Sequence, residues 1–413
     1  MVKLKLISAL IFFAAAFAGQ AEVLRTEIFQ PTFKSLQISE PDNTMSQALI
    51  HTTNAGSVLE VSFDELAEES RYLRFRLRHC DSLWQPSQIS DMEYASGFNE
   101  AEITDWQFSD NTYIPYVHYR FQLPHPDLQP LISGNYIAEV FDSDDPSETL
   151  LQVRFRVCED LVGVTAAAST STDVDYNGRH QQLRVDLDLD GAQIDDPYND
   201  LRLVIVQNGR EEERHVLEKP LRVGLKSAVY DHQPQLIFPA GNEYRRFTTA
   251  NERYPGMGVQ SIGYVDTQLQ AMLRPDAPRN ERRYIFERDQ EGRYYPDQID
   301  ATDVATQSDY VMTYFTLETP RLPGEVYIEG DLTLRNRDAG SAMIYDETLG
   351  AYIKALNLKQ GLYNYQYVTD DPGNPIEGDH YETVNEYLVL VYYRPPSARY
   401  DRLVGMTIVS TAR

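Results

Sequence analysis

The chain reads as all-β, a tandem array of immunoglobulin-like and early-set β-sandwich domains behind an export signal. Three observations predict this. Apolar and polar residues alternate with period two in many short stretches, and turn residues punctuate those stretches at short intervals. Beyond the N-terminus, no run of convincing length repeats with the period of a helix. Among 413 residues there are 28 Tyr against two Trp and two Cys, and aromatic side chains suit a pleated, half-buried surface.

The N-terminus reads as an address label. Lys3 and Lys5 form a positive start, Leu6 to Phe17 is apolar but short for a membrane span, and Gly19 and Ala21 offer a cleavage site before Glu22. Residues 1–21 are therefore expected to be a cleaved signal peptide, and the mature protein to be exported and soluble. No Cys stands beside the cleavage site, so a direct lipid anchor is not expected. The net charge of −26 argues against nucleic acid as a partner, because phosphate neutralisation needs clustered Lys and Arg. It also disfavours attachment to anionic lipid.

A first domain is expected over residues 22–160. SVLEVSFDEL (57–66) sets Leu59, Val61 and Phe63 against Val58, Glu60 and Ser62. RYLRFRLRHC (71–80) places Leu73, Phe75 and Leu77 opposite Arg74, Arg76 and Arg78. HYRFQL (118–123) and NYIAEVFDS (135–143) behave similarly, and LLQVRFRV (150–157) returns after an acidic turn, closing an immunoglobulin-like hairpin. Cys80 and Cys158 end two of these strands; a bridge between them and two unpaired thiols are both open readings.

A middle β domain is expected over 161–305. It contains GRHQQLRVDLDLD (178–190), DLRLVIVQNGR (200–210), LKSAVYDHQPQLIFPAGNEYRRF (225–247), VDTQLQAMLRP (265–275) and a hairpin in RRYIFERDQEGRYYP (282–296). Polar residues from Asp297 to Ser308 make the next boundary. A C-terminal early-set-like sandwich follows over 306–413 and holds 13 of the Tyr.

The chemistry of the sequence is sparse. The eight His form no cluster with metal-ligand spacing, and neither a nucleophile elbow nor a phosphate loop is present. Asp186 to Gly191 copies the first half of a calcium loop, but Pro197 stands where the bidentate Glu belongs. Val185, Leu187 and Leu189 alternate with those acids, so an amphipathic strand with an acidic outer face accounts for the same letters. No catalytic residue, cofactor or metal is expected, and the chain is not read as an enzyme.

The stretches SVLEVSFDEL, RYLRFRLRHCDSLWQPSQISDMEYASGFNEAEITDWQFSDNTYIPYVHYRFQLP and SGNYIAEVFD resemble the opening domain of the type IX secretion system plug protein family. The similarity continues through VQNGR, AGNEYRRF, SDYVMTYFTL, VYIEGDL, MIYDETLGAYIKALNLKQGLYNYQYV, EGDHYETVNEYLVLVYYR and DRLVG, in order over the whole mature chain. It implies a periplasmic protein that sits on the periplasmic opening of the outer-membrane translocon, a large β-barrel, and closes it when no cargo is in transit. The family carries no catalytic residues to transfer. The chain itself is expected to be a monomer.

Two segments are candidate partner-binding surfaces. The loop MEYASGFNEAEITDW (92–106) offers Tyr94, Phe98, Asn99 and Trp106, and KQGLYNYQY offers Lys359, Gln360, Tyr363 and Tyr365. In both, the competing reading is that the aromatics hold the sandwich together. A second function stands beside the plug. EVYIEGDLTLRN with LGAYIKALNLKQGLYNYQYV is similar to a glycogen-binding-type early-set sandwich, which would make the chain a periplasmic carbohydrate-binding protein. Its turn, Asp331 to Arg337, lacks the stacking Trp of that module.

Overall fold

The computed structural model describes residues 23–371 and 373–411; the expected signal peptide lies outside the described residues. The chain is all-β. Three two-sheet sandwiches account for its strands, and its helices are single turns.

In the first sandwich one sheet runs in the order Glu27–Ile28, Asp145–Cys158, Gly134–Asp142, Leu73–Cys80, Ala101–Glu102, with Leu49–His51 parallel to Asp145–Cys158. The other runs Phe33–Ser39, Leu59–Glu65, Val117–Leu123, Asp105–Phe108. The alternation does the work expected of it: Val61, Phe63, Phe75, Leu77, Tyr119 and Phe121 share one core, while Arg74, Arg76 and Arg78 stay at the outer face. Gly134–Asp142, by contrast, is buried on both sides: Leu24 and Trp84 cover Ile137, Arg76 lies over Phe141 and pairs with Glu139, and Tyr392 of the middle domain reaches Asn135.

Both cysteines are buried and unbonded. Cys80 pairs with Asn135, and Cys158 follows Val157, which pairs with Gly134 on the far edge of the same strand. One whole strand separates the thiols. Two interstrand spacings come to about 10 Å, beyond the reach of a disulfide.

The middle and C-terminal boundaries differ from expectation. Leu201–Gln207 pairs along its full length with Glu386–Tyr393, which in turn pairs with Arg402–Ser410. That sheet, edged by His215–Leu217, packs on another made of Gly163–Ser169, His180–Asp188, Ser227–Tyr230 and Arg222–Val223, with Ile237–Pro239 also beside His180–Asp188. The middle sandwich is therefore discontinuous: its last two strands come from the end of the chain. Between them the chain builds the third sandwich. One of its sheets centres on Gly361–Thr369, flanked by Arg245–Thr248, Tyr294–Pro296 and Val326–Glu329. The other runs Val259–Val265, Gln268–Leu273, Tyr310–Leu317, Ala351–Lys359, Ile344–Asp346. Gln268–Leu273 and Tyr310–Leu317 are parallel neighbours, so a division at 305 would cut a sheet. Residue 305 is a polar connection inside one domain.

The hairpin expected in 282–296 also fails to form. Only Tyr294–Pro296 is a strand, and it pairs with Gly361–Thr369. Asp289 turns inward instead and accepts a hydrogen bond from the backbone N–H of Tyr244. The acidic strand over Asp186 behaves as read. Val185, Leu187 and Leu189 are buried, and the half-buried Asp186 accepts hydrogen bonds of 2.8 Å from Arg184.

Candidate functional site

The structure separates the eight candidate residues into three groups. Tyr94 and Asn99 are buried and structural. Asn99 accepts from the backbone N–H of Leu77 at 3.0 Å and donates to its carbonyl at 2.8 Å, so the loop is stitched to strand Leu73–Cys80. The Tyr94 hydroxyl reaches the same carbonyl at 3.3 Å.

Lys359, Gln360, Tyr363 and Tyr365 are all interior. They stand at and beyond the tight turn between Ala351–Lys359 and Gly361–Thr369. That turn needs Gly361, where a Cβ would lie 2.1 Å from the carbonyl oxygen of Tyr295. Gln360 accepts from the N–H of Asp309 at 2.9 Å. Tyr363 donates to the carbonyl of Lys359, and Tyr365 donates to Asp276 at 2.7 Å. These side chains present nothing to a partner.

Lys359 alone of the four locks domains together; Gln360, Tyr363 and Tyr365 bond within the third sandwich. Lys359 Nζ lies 2.6 Å from Asp64 Oδ2 of the first sandwich and 4.3 Å above the Tyr116 ring. Asp64 also takes hydrogen bonds from Tyr310 at 2.7 Å and pairs with His118 at 2.7 Å. Burial alone would raise the Asp64 carboxyl, but Lys359 and His118 outweigh it and hold it below the usual carboxylate range.

Similar clamps tie the other pairs of domains. Arg154 and Arg156 lie over the Trp84 ring at 4.7 and 4.9 Å and pair with Glu212 and Glu211 of the middle domain. Arg210 of the middle domain donates to Gln366 of the third at 2.8 Å. All three sandwiches meet at one carboxylate oxygen: Glu386 Oε1 accepts from Gln47 of the first and Arg293 of the third, each at 2.7 Å. Because buried charges are costly to separate from their partners, these contacts oppose separation of the three modules.

The turn Asp331 to Arg337 belongs to the same system. Arg335 is folded inward onto Glu329 at 2.8 Å and Asp331 at 2.7 Å. It gives a sugar ring no aromatic platform.

Exposed aromatic surface lies elsewhere. Phe98 is 99% exposed at its loop tip, and Trp106 is 39% exposed on the strand Asp105–Phe108. Trp106 packs edge-to-face on Phe108, centroids 5.2 Å apart. Sequence reading missed Phe108, although the D-W-Q-F alternation puts both rings on one face. A few residues on, Tyr113 meets Tyr264 of the third sandwich at 4.6 Å, beside a polar cleft of about 520 Å³. Among the described residues, no three His, Cys, Asp or Glu side chains converge to hold a metal.

A three-sandwich protein with clamped modules and an exposed aromatic strand is the class these features define. Residues 33–159 match the family described as Type 9 secretion system plug protein 1st domain. The match spans the first sandwich and not the whole mature chain. Over 94% of its length the chain superposes on a crystal structure of a hypothetical protein from Parabacteroides merdae ATCC 43184, with a TM-score of 0.91, 34% identity and 99% of that chain covered. The chain belongs to the same family as that protein. An alkylpurine DNA glycosylase from Pseudomonas fluorescens aligns over 30% of each chain at 10% identity and a TM-score of 0.18, which carries no argument. No curated protein matches the chain.

Proposed function

We propose that the protein is a periplasmic plug: it binds the periplasmic opening of the type IX outer-membrane translocon barrel and seals it when no cargo is in transit. The observation that carries this is the match of the first sandwich to the plug-protein domain. The clamps support it, because a cap over a wide aqueous pore must resist deformation and be too bulky to pass. The signal-like N-terminus would deliver the protein to that compartment.

A reversible cap calls for an interface of modest size with a polar rim. Phe98, Trp106 and Phe108 set among exposed acids fit such a contact. The test has two arms. The full mature chain should co-purify with the translocon barrel from envelope, in complexes lacking cargo. A strain without the chain should become permeable to large hydrophilic solutes through that barrel. An unchanged permeability, with no barrel recovered, overturns the proposal.

A further inference from the structure

The strand Asp105–Phe108 ends its sheet, and its ladder shows which of its groups are unused. Ser109 donates its N–H to the carbonyl of Tyr116 at 2.8 Å. In an antiparallel pair, hydrogen-bonded and non-bonded positions alternate, so residues 105, 107 and 109 bond inward while 106, 108 and 110 turn outward. The first outward position is already taken: the N–H of Asp110 donates to the carbonyl of Thr306, in the third sandwich, at 2.9 Å. Trp106 and Phe108 come next. Beside them the sheet has no further strand among the described residues.

Their side chains are equally unfinished. Trp106 pairs with Tyr119 and Phe108 with Val117, both wholly buried. The two rings therefore continue the core-facing row of the sheet past the point where the opposing sheet covers it, and remain 39% and 50% exposed. The segment D-W-Q-F carries no Lys or Pro, the usual guards of an open edge. On the opposite face Arg120 pairs with Asp105 at 2.7 Å, and Glu60 and Asp303 also bear on that one guanidinium, so three carboxylates share it.

We propose that this edge receives an extended segment of the partner protein as an added strand. The segment pairs with the outward groups of Trp106 and Phe108, next to the single bond that Asp110 makes to Thr306. It lays an apolar side chain against Trp106 and Phe108, and it turns Lys or Arg towards Asp105 and Asp303. Main-chain bonds supply the affinity and the two faces supply the selectivity. This rests on the plug reading, which makes the segment part of the periplasmic rim of the translocon barrel.

The experiment uses the full mature chain and the purified barrel. Trp106→Pro removes an outward N–H and leaves the inward ladder intact; Phe108→Glu removes the apolar contact; Tyr72→Ser, at an exposed ring elsewhere on the first sandwich, is the control. Both edge variants should bind the barrel at least tenfold more weakly, and the control should bind as wild type. Hydrogen exchange on the wild-type complex, which needs no variant to fold, should slow at the amides of 106 and 108. Equal affinities with no added protection overturn the edge proposal while leaving the plug standing. A concentration-dependent dimer abolished by Trp106→Pro overturns it in favour of self-pairing. A wild-type chain that does not bind the barrel overturns the plug reading, and the edge proposal with it.

Discussion

Lys359 and Asp64 form an ion pair of 2.6 Å between the third and first sandwiches, and both side chains are almost wholly sealed from solvent, at 2% and 0% exposure. Two charges placed so deep have exchanged hydration for each other. Asp64 is further held by Tyr310 and His118, and Lys359 donates to the carbonyl of Ala305 at 2.6 Å. The pair fixes where the first sandwich stands on the third.

Removing one partner leaves the other charge buried and unanswered, at a cost of about 3–5 kcal/mol. Lys359→Ala should therefore lower stability by that amount in urea denaturation. Asp64→Asn combined with Lys359→Met should recover much of the loss, since no lone charge remains. If the single variant is as stable as wild type, the pair does not hold the junction.

Acidity should tilt stability in both directions. Burial pushes Glu377 up, but Arg245 and Arg279 outweigh it and hold the carboxyl at about 2. Unfolded, that group titrates near ~4.3. Its contribution is thus complete above about pH 5 and is lost as pH falls towards 2. Glu243 moves the other way, pushed up by burial to about 7. The folded chain keeps that proton where the unfolded chain gives it up, so its contribution is present below about pH 4 and lost as pH rises to 7.

Burial lowers His79 to about 4, and its contribution is lost as pH falls from ~6.5 to that value. It therefore opposes Glu243 between about pH 4.5 and 6.5. What remains there is the buried pair Asp289 and Glu291, raised by burial, with Asp289 bearing on Glu291. The groups facing Glu291 are Asp289, Glu386, Glu243 and Arg293. Stability should peak near pH 5 and decline towards pH 9, and Glu291→Gln should flatten the alkaline decline. Urea midpoints from pH 3 to 9 test both; a maximum above pH 8 would refute the assignment.

Much of the fold could be read from period-two spacing, because a strand with one buried face announces itself locally. RYLRFRLRHC became Leu73–Cys80, and DYVMTYFTL became Tyr310–Leu317. Partners are another matter. EYLVLVYY is buried on both faces and pairs with Leu201–Gln207 far upstream, and nothing in an apolar run names its neighbour. Hence the inserted third domain stayed hidden. Lys359 misled for the same reason: a Lys at a turn is normally solvated, and the acid that buries it lies 295 residues away. Trp106 was visible in its alternating strand, but the free edge beside it depends on where the sheet ends.

The thiols should be silent in the native protein. Cys80 is pushed up to about 12 and Cys158 higher still, both chiefly by burial, so neither forms the reactive thiolate at neutral pH. A thiol reagent should label neither cysteine in the folded chain and both after denaturation without reductant. Failure to label in denaturant would reveal a disulfide and contradict the strand that separates them.

The two tryptophans should report on two different places. Trp84 is wholly buried beneath Arg154 and Arg156, its Nε1 donating to Glu211 Oε2 at 3.2 Å across the junction with the middle domain. Trp106 is exposed at the sheet edge. Acrylamide should quench only the Trp106 part of the native emission, and Trp106→Phe should leave only the inaccessible part. Trp84→Ala should cost about 3–5 kcal/mol through lost packing, with two arginines stripped of their ring. Titrating the translocon barrel into the Trp84→Phe chain should then shield Trp106 from quencher. If Trp106 stays as accessible in the complex as in the free protein, the sheet edge is not the contact.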